Sequence, residues 1–233
     1  MGTEEKNSVK ILEELGAKPS ESEEHGLSLI SDSDLAIFSP GISTAGFAEV
    51  RMARGNPRRH IIATTIDREG LDFAENIIRD VGLQNQIEAK LEDVRNSEYP
   101  VNTFDFIHAR LVLHYLSAQD LDKVLSKFAS FLKPNGRFFA VVRSEKNINS
   151  DDPNVSFNPD TRLTTYPNYD PSGSVESNST RYFHTPETIT AHMETAGLKV
   201  SGLQEYEEQL YKDFMRREIS PTKDHVIELV ASK

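Results

Sequence analysis

Three turns, each following a short apolar run, hold the residues of this chain with the clearest potential for binding chemistry. The first turn is SPGIS, residues 39–43, and it follows the run LAIF. Asp67 directly follows IIATTI, and Asp93 follows a weaker run at 87–91. A turn that enters a helix offers backbone N–H groups to an anion. Carboxylates at strand ends can accept hydrogen bonds from a ribose diol or an exocyclic amine, so the three turns together predict a ligand site.

Such a site requires neighbouring strands that end at one edge of a sheet, and the rest of the sequence supplies them. Apolar runs alternate with helix-like segments of 10–15 residues, which is typical of βαβ units with right-handed crossovers. The predicted strands lie at 35–38, 60–66, 87–91, 104–107, 137–142, 198–206 and 225–230, and the predicted helices at 44–54, 70–81, 121–132 and 186–196. The last two strands have too short a connection to ensure a crossover helix, which favours an antiparallel pair. The sequence predicts an α/β fold with a mainly parallel sheet.

Two parts of the chain depart from this alternation. Residues 1–34 contain three lysines and nine acidic residues, which is more than half of the net charge of −11. A short helix at 9–15 and a loop at 20–26 are expected there. In residues 146–180, Ser, Thr, Asn, Asp, Gly and Pro fill 25 of 35 positions, which predicts a long polar loop. We therefore expect an acidic N-terminal helical extension, 1–34, and one domain, 35–233, with a polar loop insert.

The amino-acid composition excludes or disfavours several classes of function. The chain has no cysteine, which excludes disulfides, thiolate metal sites and a cysteine nucleophile. The net charge of −11 disfavours nucleic acid as a partner, because phosphate binding needs clustered Lys and Arg. No run reaches the roughly 18 apolar residues of a membrane-spanning helix, and MGTEEKNSVK has no apolar signal core. No histidine pair with a carboxylate at ligand spacing is convincing. We expect a cytoplasmic protein with no metal and no membrane partner; its oligomeric state is left open.

From Leu35 to about Lys146, the chain resembles class I S-adenosylmethionine-dependent methyltransferases. The resemblance rests on the order and spacing of LAIFSPGIS, IIATTIDREGLDFAENI, AKLEDV, NTFDFIHARLVLHYL and VLSKFASFLKPNGRFFAVV. RYFHTPE, at 181–187, and the final VIELVASK are similar to the family's last helix and last strand. The resemblance implies a Rossmann-like, doubly wound, seven-stranded sheet with an antiparallel last strand, S-adenosylmethionine as cofactor, and a small-molecule acceptor.

The resemblance also implies which residues bind the cofactor. By position, the first turn would hold the methionine end and Asp67 the ribose hydroxyls; the alternative for Asp67 is a cap for the helix that follows it. Asp93 and Val94 would contact the adenine, with an ordinary solvated turn as the alternative for Asp93. The complete implied cofactor set is Ser39, Gly41, Ser43, Asp67, Arg68, Asp93, Val94, His108 and Ala109.

The first turn departs from the family pattern of an acidic strand residue followed by G-x-G-x-G. Ile37 stands at the acidic position, and Ser39 and Ser43 stand where the family has glycine. This leaves open a non-catalytic, methyltransferase-like interaction protein that has lost its cofactor. A third alternative is a nicotinamide-dependent oxidoreductase. It rests on residues 41–46, which resemble a degenerate dinucleotide-binding glycine motif.

Methyl transfer needs mainly positioning, because the sulfonium is an activated donor. A general base matters only when the acceptor must lose a proton. His114, just beyond the fourth strand, is the candidate for that role, with a histidine satisfied within the core as the alternative. Tyr115, Tyr182 and His184 are candidate substrate contacts; loop aromatics that only anchor a lid are the other interpretation.

Overall fold

A computed structural model describes residues 19–42, 46–148, 152–169, 172–211, 219–220 and 222–233. The strands are β1 (Ala36–Pro40), β2 (His60–Thr65), β3 (Ile87–Leu91), β4 (Phe104–Arg110), β5 (Leu132–Arg143), β6 (Ser156–Asn158), β7 (Leu163–Tyr169), β8 (Val175–Arg181), β9 (Lys199–Glu208) and β10 (Asp224–Ser232). The α-helices are α1 (Glu21–Ser28), α2 (Phe47–Gly55), α3 (Arg68–Asp80), α4 (Ala118–Phe131) and α5 (Pro186–Thr195). Among these helices, none is long and apolar enough to span a membrane.

Seven strands form the main sheet, in the order β3-β2-β1-β4-β5-β10-β9. The first five strands pair in parallel, whereas β10 is antiparallel to both β5 and β9. The predicted Rossmann-like sheet with an antiparallel last strand is confirmed. Strand order reverses between β1 and β4, and such a switch point opens a crevice at the carboxyl ends of the strands.

Apolar strands bury both faces of the sheet. On β1, Ile37 packs with α2 and α3 on one side, and Phe38 packs with α4 on the other. Phe38 stacks on Phe104 with ring centroids 5.3 Å apart and meets Phe128 edge-on at the same distance. Because the central strands β1 and β5 are covered on both faces, they contain continuous apolar runs, whereas the more exposed strand β3 does not. This packing fixes the strand ends from which the candidate site is built.

The polar insert is not a loop, which corrects the expectation for residues 146–180. Within it, β6, β7 and β8 form a three-stranded antiparallel sheet. Polar side chains pair across the strands: the Thr165 and Thr180 hydroxyls lie 3.3 Å apart, and Asn168 donates to Ser177 over 2.9 Å. Backbone pairing and such cross-strand contacts can form a sheet without an apolar run, so the composition was a poor guide.

The N-terminal segment also differs from expectation. The predicted helix at 9–15 lies outside the described residues, and the segment expected to be a loop at 20–26 forms most of α1. Its buried contacts are polar: the Ser22 backbone N–H donates to Glu208 over 2.7 Å, and the His25 ring lies 2.6 Å from Glu228. Because these tertiary contacts are polar, the helix has no apolar periodicity from which it could be predicted.

Candidate functional site

A cleft of about 470 Å³ lies at the carboxyl ends of the parallel strands, where the strand order reverses. It opens between the turns that follow β1, β2, β3 and β4. Its lining residues are Gly41, Ile42, Thr64, Thr65, Ile66, Asp67, Glu92, Asp93, Val94, Arg95, Arg110, Leu111, Val112, Tyr115 and Leu116. The three turns identified from the sequence therefore meet in one cleft.

Gly41 holds the turn after β1 close to the opposite wall of the cleft. Its φ of +74° is in the left-handed region, and a Cβ at this position would lie 2.8 Å from the Cβ of Val112. The next residue, Ile42, donates its backbone N–H to the Thr64 carbonyl over 2.7 Å. Glycine is thus required both by the backbone conformation and by the close approach. The bare backbone at Gly41 leaves space beside β1 for a ligand.

The turn after β2 presents a hydroxyl and a carboxylate to the cleft. Thr64 is fully buried, and its Oγ1 has no hydrogen-bond partner in the part of the chain that the structure describes. Asp67 Oδ1 accepts the backbone N–H of Glu69 over 3.1 Å and caps α3. Its Oδ2 has no partner among the described residues, so capping leaves that oxygen available. A buried, unpaired hydroxyl is costly, and a polar ligand in the cleft would satisfy it.

The turn after β3 is rigid because Asp93 and Arg95 form an ion pair. Arg95 Nη2 lies 2.5 Å from Asp93 Oδ2, and Nε lies 3.0 Å from both carboxylate oxygens. The hydrogen bond from Arg95 lowers the pKa of Asp93 below its ordinary value. Val94, next to it, is buried in the core on the α4 side while also lining the cleft. The carboxylate therefore stays charged and keeps lone pairs for a further donor.

Two residues expected at the cofactor are directed elsewhere. Ser39 lies within β1, and its hydroxyl donates to the buried carboxylate of Glu49 over 2.6 Å. His108 stacks on Phe139 at 5.3 Å, and burial lowers its pKa to about 4. Neither side chain lines the cleft, because the alternation along a strand directs both toward the layer of α1 and α2. Position in the sequence alone predicts both residues at the site, because it does not show which face of the strand each side chain occupies.

Three other residues of the expected cofactor set have different surroundings. Ala109 is fully buried in the core cluster on the α4 side. Arg68 is exposed and lies 3.8 Å from Asp72, one turn later on α3. Ser43 lies outside the described residues. The structure thus brings Gly41, Asp67, Asp93 and Val94 to the cleft as side chains or backbone.

On the side of β4, Tyr115 lines the cleft and is 57% exposed, whereas His114 is buried. The two rings are 4.6 Å apart. Burial, followed by the positive charges of Arg143 and Arg181, holds the pKa of His114 well below its ordinary value. Its imidazole is therefore neutral at pH 7 and chemically able to accept a proton. Its Nδ1 has no hydrogen-bond partner among the described residues.

Tyr182 and His184 lie behind the cleft, not in its lining. Their rings are 4.3 Å apart, and the Tyr182 hydroxyl lies 3.1 Å from His192 Nε2. Burial lowers the pKa of His184 to about 3. His192, in turn, lies 2.5 Å from Asp122. As candidate substrate contacts they stay predictions, and in this structure they pack against one another.

Several lining residues carry no sequence signal of their own. Arg110, the last residue of β4, donates to the hydroxyls of Ser20 and Ser22 over 2.5 Å and 2.7 Å and so ties α1 to the edge of the cleft. Leu111 follows it with a φ of +55°, a conformation that its residue type does not indicate. Thr64 could have been found, because it lies three residues before Asp67 at a predicted strand end.

The comparisons with known proteins agree with this geometry. Residues 40–136 match a family model described as "Methyltransferase domain". Over these residues, which make up less than half of its length, the chain is similar to S-adenosylmethionine-dependent methyltransferases. S-adenosylmethionine is the cofactor of this family. The match begins at the turn after β1 and covers the turns after β2, β3 and β4, so it includes the whole cleft.

The chain is similar to part of "Phosphoethanolamine N-methyltransferase 3" from Arabidopsis thaliana, with 35% identity over 31% of this chain and 15% of that protein. It is also similar to "Phosphoethanolamine N-methyltransferase" from Plasmodium falciparum, with 32% identity over 29% of this chain and 27% of that protein. The alignments thus span less than a third of either relative. A solved methyltransferase structure from Methanosarcina mazei superposes with a TM-score of 0.66 at 15% identity, covering 88% of this chain and 95% of that one, and shares its fold.

Proposed function

We propose that this protein transfers the methyl group of S-adenosylmethionine to a small-molecule acceptor. The observation that carries the proposal is the cleft at the switch point, in which the bare backbone of Gly41, the unpaired Thr64 hydroxyl and the Asp67 carboxylate meet. These groups fit the cofactor, because a Cβ at Gly41 would close the cleft and a buried hydroxyl without a partner calls for a polar ligand.

Each residue then has a role that follows from its position. The turn at Gly41 would hold the amino-acid end of the cofactor through backbone groups, and Asp67 would accept hydrogen bonds from the ribose hydroxyls through its open Oδ2. Asp93 would accept the exocyclic amine of adenine while it stays paired with Arg95. Val94 would pack against the adenine ring. When bound, the cofactor supplies an activated methyl group, so orienting the acceptor is the main task left to the protein.

His114 is proposed as the base for an acceptor that must lose a proton. Burial and nearby positive charges lower the pKa of His114, which keeps the ring unprotonated at neutral pH and also makes it a weak base. Its neighbour Tyr115 faces the cleft and stacks beside it. A proton-transfer role predicts a kcat that falls in His114→Phe while the affinity for the cofactor product is unchanged.

Phosphoethanolamine is the first acceptor to test, because both curated relatives are named for it. The full chain is incubated with methyl-labelled S-adenosylmethionine and phosphoethanolamine. Ethanolamine, which lacks the phosphate group, is the control. We expect label in the phosphorylated product and less in the control. Label in neither compound, from a chain that binds the cofactor product, would remove this acceptor from the proposal.

A non-catalytic, methyltransferase-like protein is the second candidate. The observations that favour it are the buried Ile37 at the family's acidic position and the engagement of Ser39 with Glu49. It predicts no affinity for S-adenosylmethionine or its demethylated product. The nicotinamide alternative predicts affinity for a dinucleotide instead, and a thermal-shift comparison of the two ligands separates them.

We propose the cytoplasm as the place of action, on the composition alone. Nucleic acid is not proposed as acceptor, because the net charge of −11 would repel phosphate backbones. No group of three or more His, Cys, Asp or Glu arranged to hold a metal occurs in the described ranges. The reaction is therefore proposed without a metal of its own.

A further inference from the structure

A second cavity, of about 390 Å³, lies beyond the carboxyl end of β5 and the amino end of β10, next to β7 of the insert. Basic side chains line it from three elements: Arg143, Lys146, Lys223 and His225. The acidic side chains in its wall are Asp152 and Asp224. Because β4 and β5 are neighbours, this cavity lies along the same edge of the sheet as the cofactor cleft.

A buried hydroxyl of the insert faces this cavity without a partner. Thr164, on β7, is 1% exposed and lines the cavity, and its Oγ1 has no hydrogen-bond partner among the described residues. Water would compensate a hydroxyl at the surface, but a buried one without a partner destabilises the folded chain. Its position in the cavity wall therefore indicates a ligand with a polar group at this point.

Most charged side chains of the cavity are already paired, which leaves the Lys223 ammonium available. The Arg143 guanidinium lies 3.3 Å from Asp224, and the Lys146 ammonium lies 2.5 Å from Glu205. The Asp152 carboxylate accepts the Tyr169 hydroxyl over 2.6 Å. The Lys223 ammonium has no ion-pair partner within the described residues. The Lys223 ammonium, the Thr164 hydroxyl and the charged Asp152 carboxylate are thus left without an ion-pair partner, and the first two can donate to the same negatively charged group.

A stack of three side chains connects the two cavities. Tyr115 lines the cofactor cleft, and the Arg181 guanidinium carbon lies 3.9 Å from the centre of its ring. The same guanidinium is 5.6 Å from the centre of the ring of Tyr166, which lines the second cavity. A molecule with its anionic end in the second cavity would therefore reach the cleft past a cation–π stack.

We infer that the second cavity binds the anionic group, a phosphate or a carboxylate, of the methyl acceptor through the Thr164 hydroxyl and the Lys223 ammonium. The inference rests on the proposed function and specifies the class of acceptor. Arg143 and Lys146 add positive potential, although carboxylates already pair with both. The remainder of the acceptor would extend along Tyr166 and Arg181 toward the methyl group. The polar insert thereby selects the acceptor, whereas the strand ends of the main sheet hold the cofactor.

The test is a titration of the full chain, saturated with S-adenosylhomocysteine, with inorganic phosphate and separately with acetate. Backbone amide signals in a ¹H–¹⁵N NMR spectrum report where each probe binds. We expect saturable shifts at Thr164, Lys223 and Arg143 with at least one probe, and the probe that binds more tightly identifies the chemistry. Thr164→Val keeps the shape of the side chain and should raise the Kd about tenfold. Lys223→Gln should raise it about threefold and weaken its salt dependence.

Lys199→Gln is the matched control, because Lys199 is exposed at the start of β9, and its cross-strand partner is Ser232 at the far end of β10. It should leave the Kd unchanged. Non-saturating shifts with both probes, or an unchanged Kd in Thr164→Val, would overturn the inference while binding of S-adenosylhomocysteine keeps the proposed function intact. Failure to bind S-adenosylhomocysteine at all would instead remove the proposed function and this inference with it.

Discussion

The two cavities along the carboxyl edge of the sheet are built in different ways. The cofactor cleft is formed by turns that follow strands buried on both faces, and its shape depends on backbone, as at Gly41. The cavity under the insert is formed largely by charged and polar side chains, beside a sheet whose strands are mostly exposed. If the proposed sites are correct, this fold holds the cofactor through backbone geometry fixed by its core and leaves acceptor chemistry to side chains that can vary.

If that contrast is correct, changes to backbone space in the cleft should be far more damaging than changes under the insert. The largest effect is expected for Gly41→Val. Its Cβ would lie 2.8 Å from Val112 Cβ in a left-handed conformation, so the turn must move away from the cleft. We expect the affinity for S-adenosylhomocysteine to fall by about 100-fold or more, measured by calorimetric titration, since strain of this kind costs several kcal/mol.

Gly82→Ala is the matched control for Gly41→Val. Gly82 also has a positive φ, +73°, but apart from its chain neighbours no atom of the described residues lies within 4 Å of a Cβ placed there. It should cost about 1 kcal/mol of unfolding free energy from the backbone conformation and leave the affinity unchanged. Equal losses of affinity in the two variants would show that backbone strain, and not space in the cleft, determines binding.

The next largest effect is expected for Asp67→Ser. Serine can still cap α3, so the free energy of unfolding should change by less than about 0.5 kcal/mol. The open carboxylate oxygen is lost, and affinity for S-adenosylhomocysteine should fall about 30-fold, as expected for a charge-assisted hydrogen bond. Calorimetry and urea unfolding measure the two quantities. A loss of stability with unchanged affinity would leave Asp67 as a helix cap alone.

The free energy of unfolding should also depend on pH, through the buried histidine His184 behind the cleft. His184 has a pKa of about 3 in the folded chain, against about 6.5 when unfolded, because it is buried. Below pH 6.5 the unfolded chain therefore binds a proton that the folded chain does not, so stability falls as pH falls. Urea unfolding at pH 6.5 and pH 5.0 should show a loss of up to about 2 kcal/mol from this group.

His184→Phe preserves a ring against Tyr182 and should reduce that loss between the two pH values. The control is His60→Phe, since His60 lies on β2 with more than half of its side chain in solvent. That variant should keep the wild-type dependence on pH. The same slope in His184→Phe as in the wild type would assign the pH sensitivity to other groups, such as His108.

The smallest effect is expected for Thr64→Val, and here stability and affinity should move in opposite directions. Valine removes a buried hydroxyl that has no partner in the described chain, so unfolding free energy should rise by about 1 kcal/mol. If that hydroxyl contacts the cofactor, affinity for S-adenosylhomocysteine should fall about fivefold. Thermal unfolding and calorimetry report the two changes. Higher stability with undiminished affinity would place the hydroxyl outside the binding surface.

The same contrast explains how much could be predicted from the sequence. The strands that form the cleft were predicted within a few residues, because apolar runs such as LAIF and IIATT are what burial on both faces requires. Asp67 and Asp93 were found because a strand end is readable as the last apolar residue before a turn. Residues at the carboxyl ends of the parallel strands can therefore be predicted from the pattern of apolar runs.

The rest depends on contacts that the pattern does not carry. The polar strands β7 and β8 pair through backbone and hydroxyl groups, and α1 packs through Ser22 and Glu23 rather than through an apolar face. The Ser39 side chain is directed toward its buried partner Glu49, ten residues later. Arg110 is held at the edge of the cleft by a hydrogen bond to Ser22 of α1. Such side-chain pairings are decided by the folded arrangement, so composition and periodicity could not reveal them.

The most direct test of the account is calorimetric titration of the full chain with S-adenosylhomocysteine. The account predicts one binding site per chain with a Kd in the micromolar range, about −8 kcal/mol, and loss of that binding in Gly41→Val but not in Gly82→Ala. No heat of binding at millimolar ligand, from a chain that unfolds cooperatively and is therefore intact, would contradict it and favour the non-catalytic candidate.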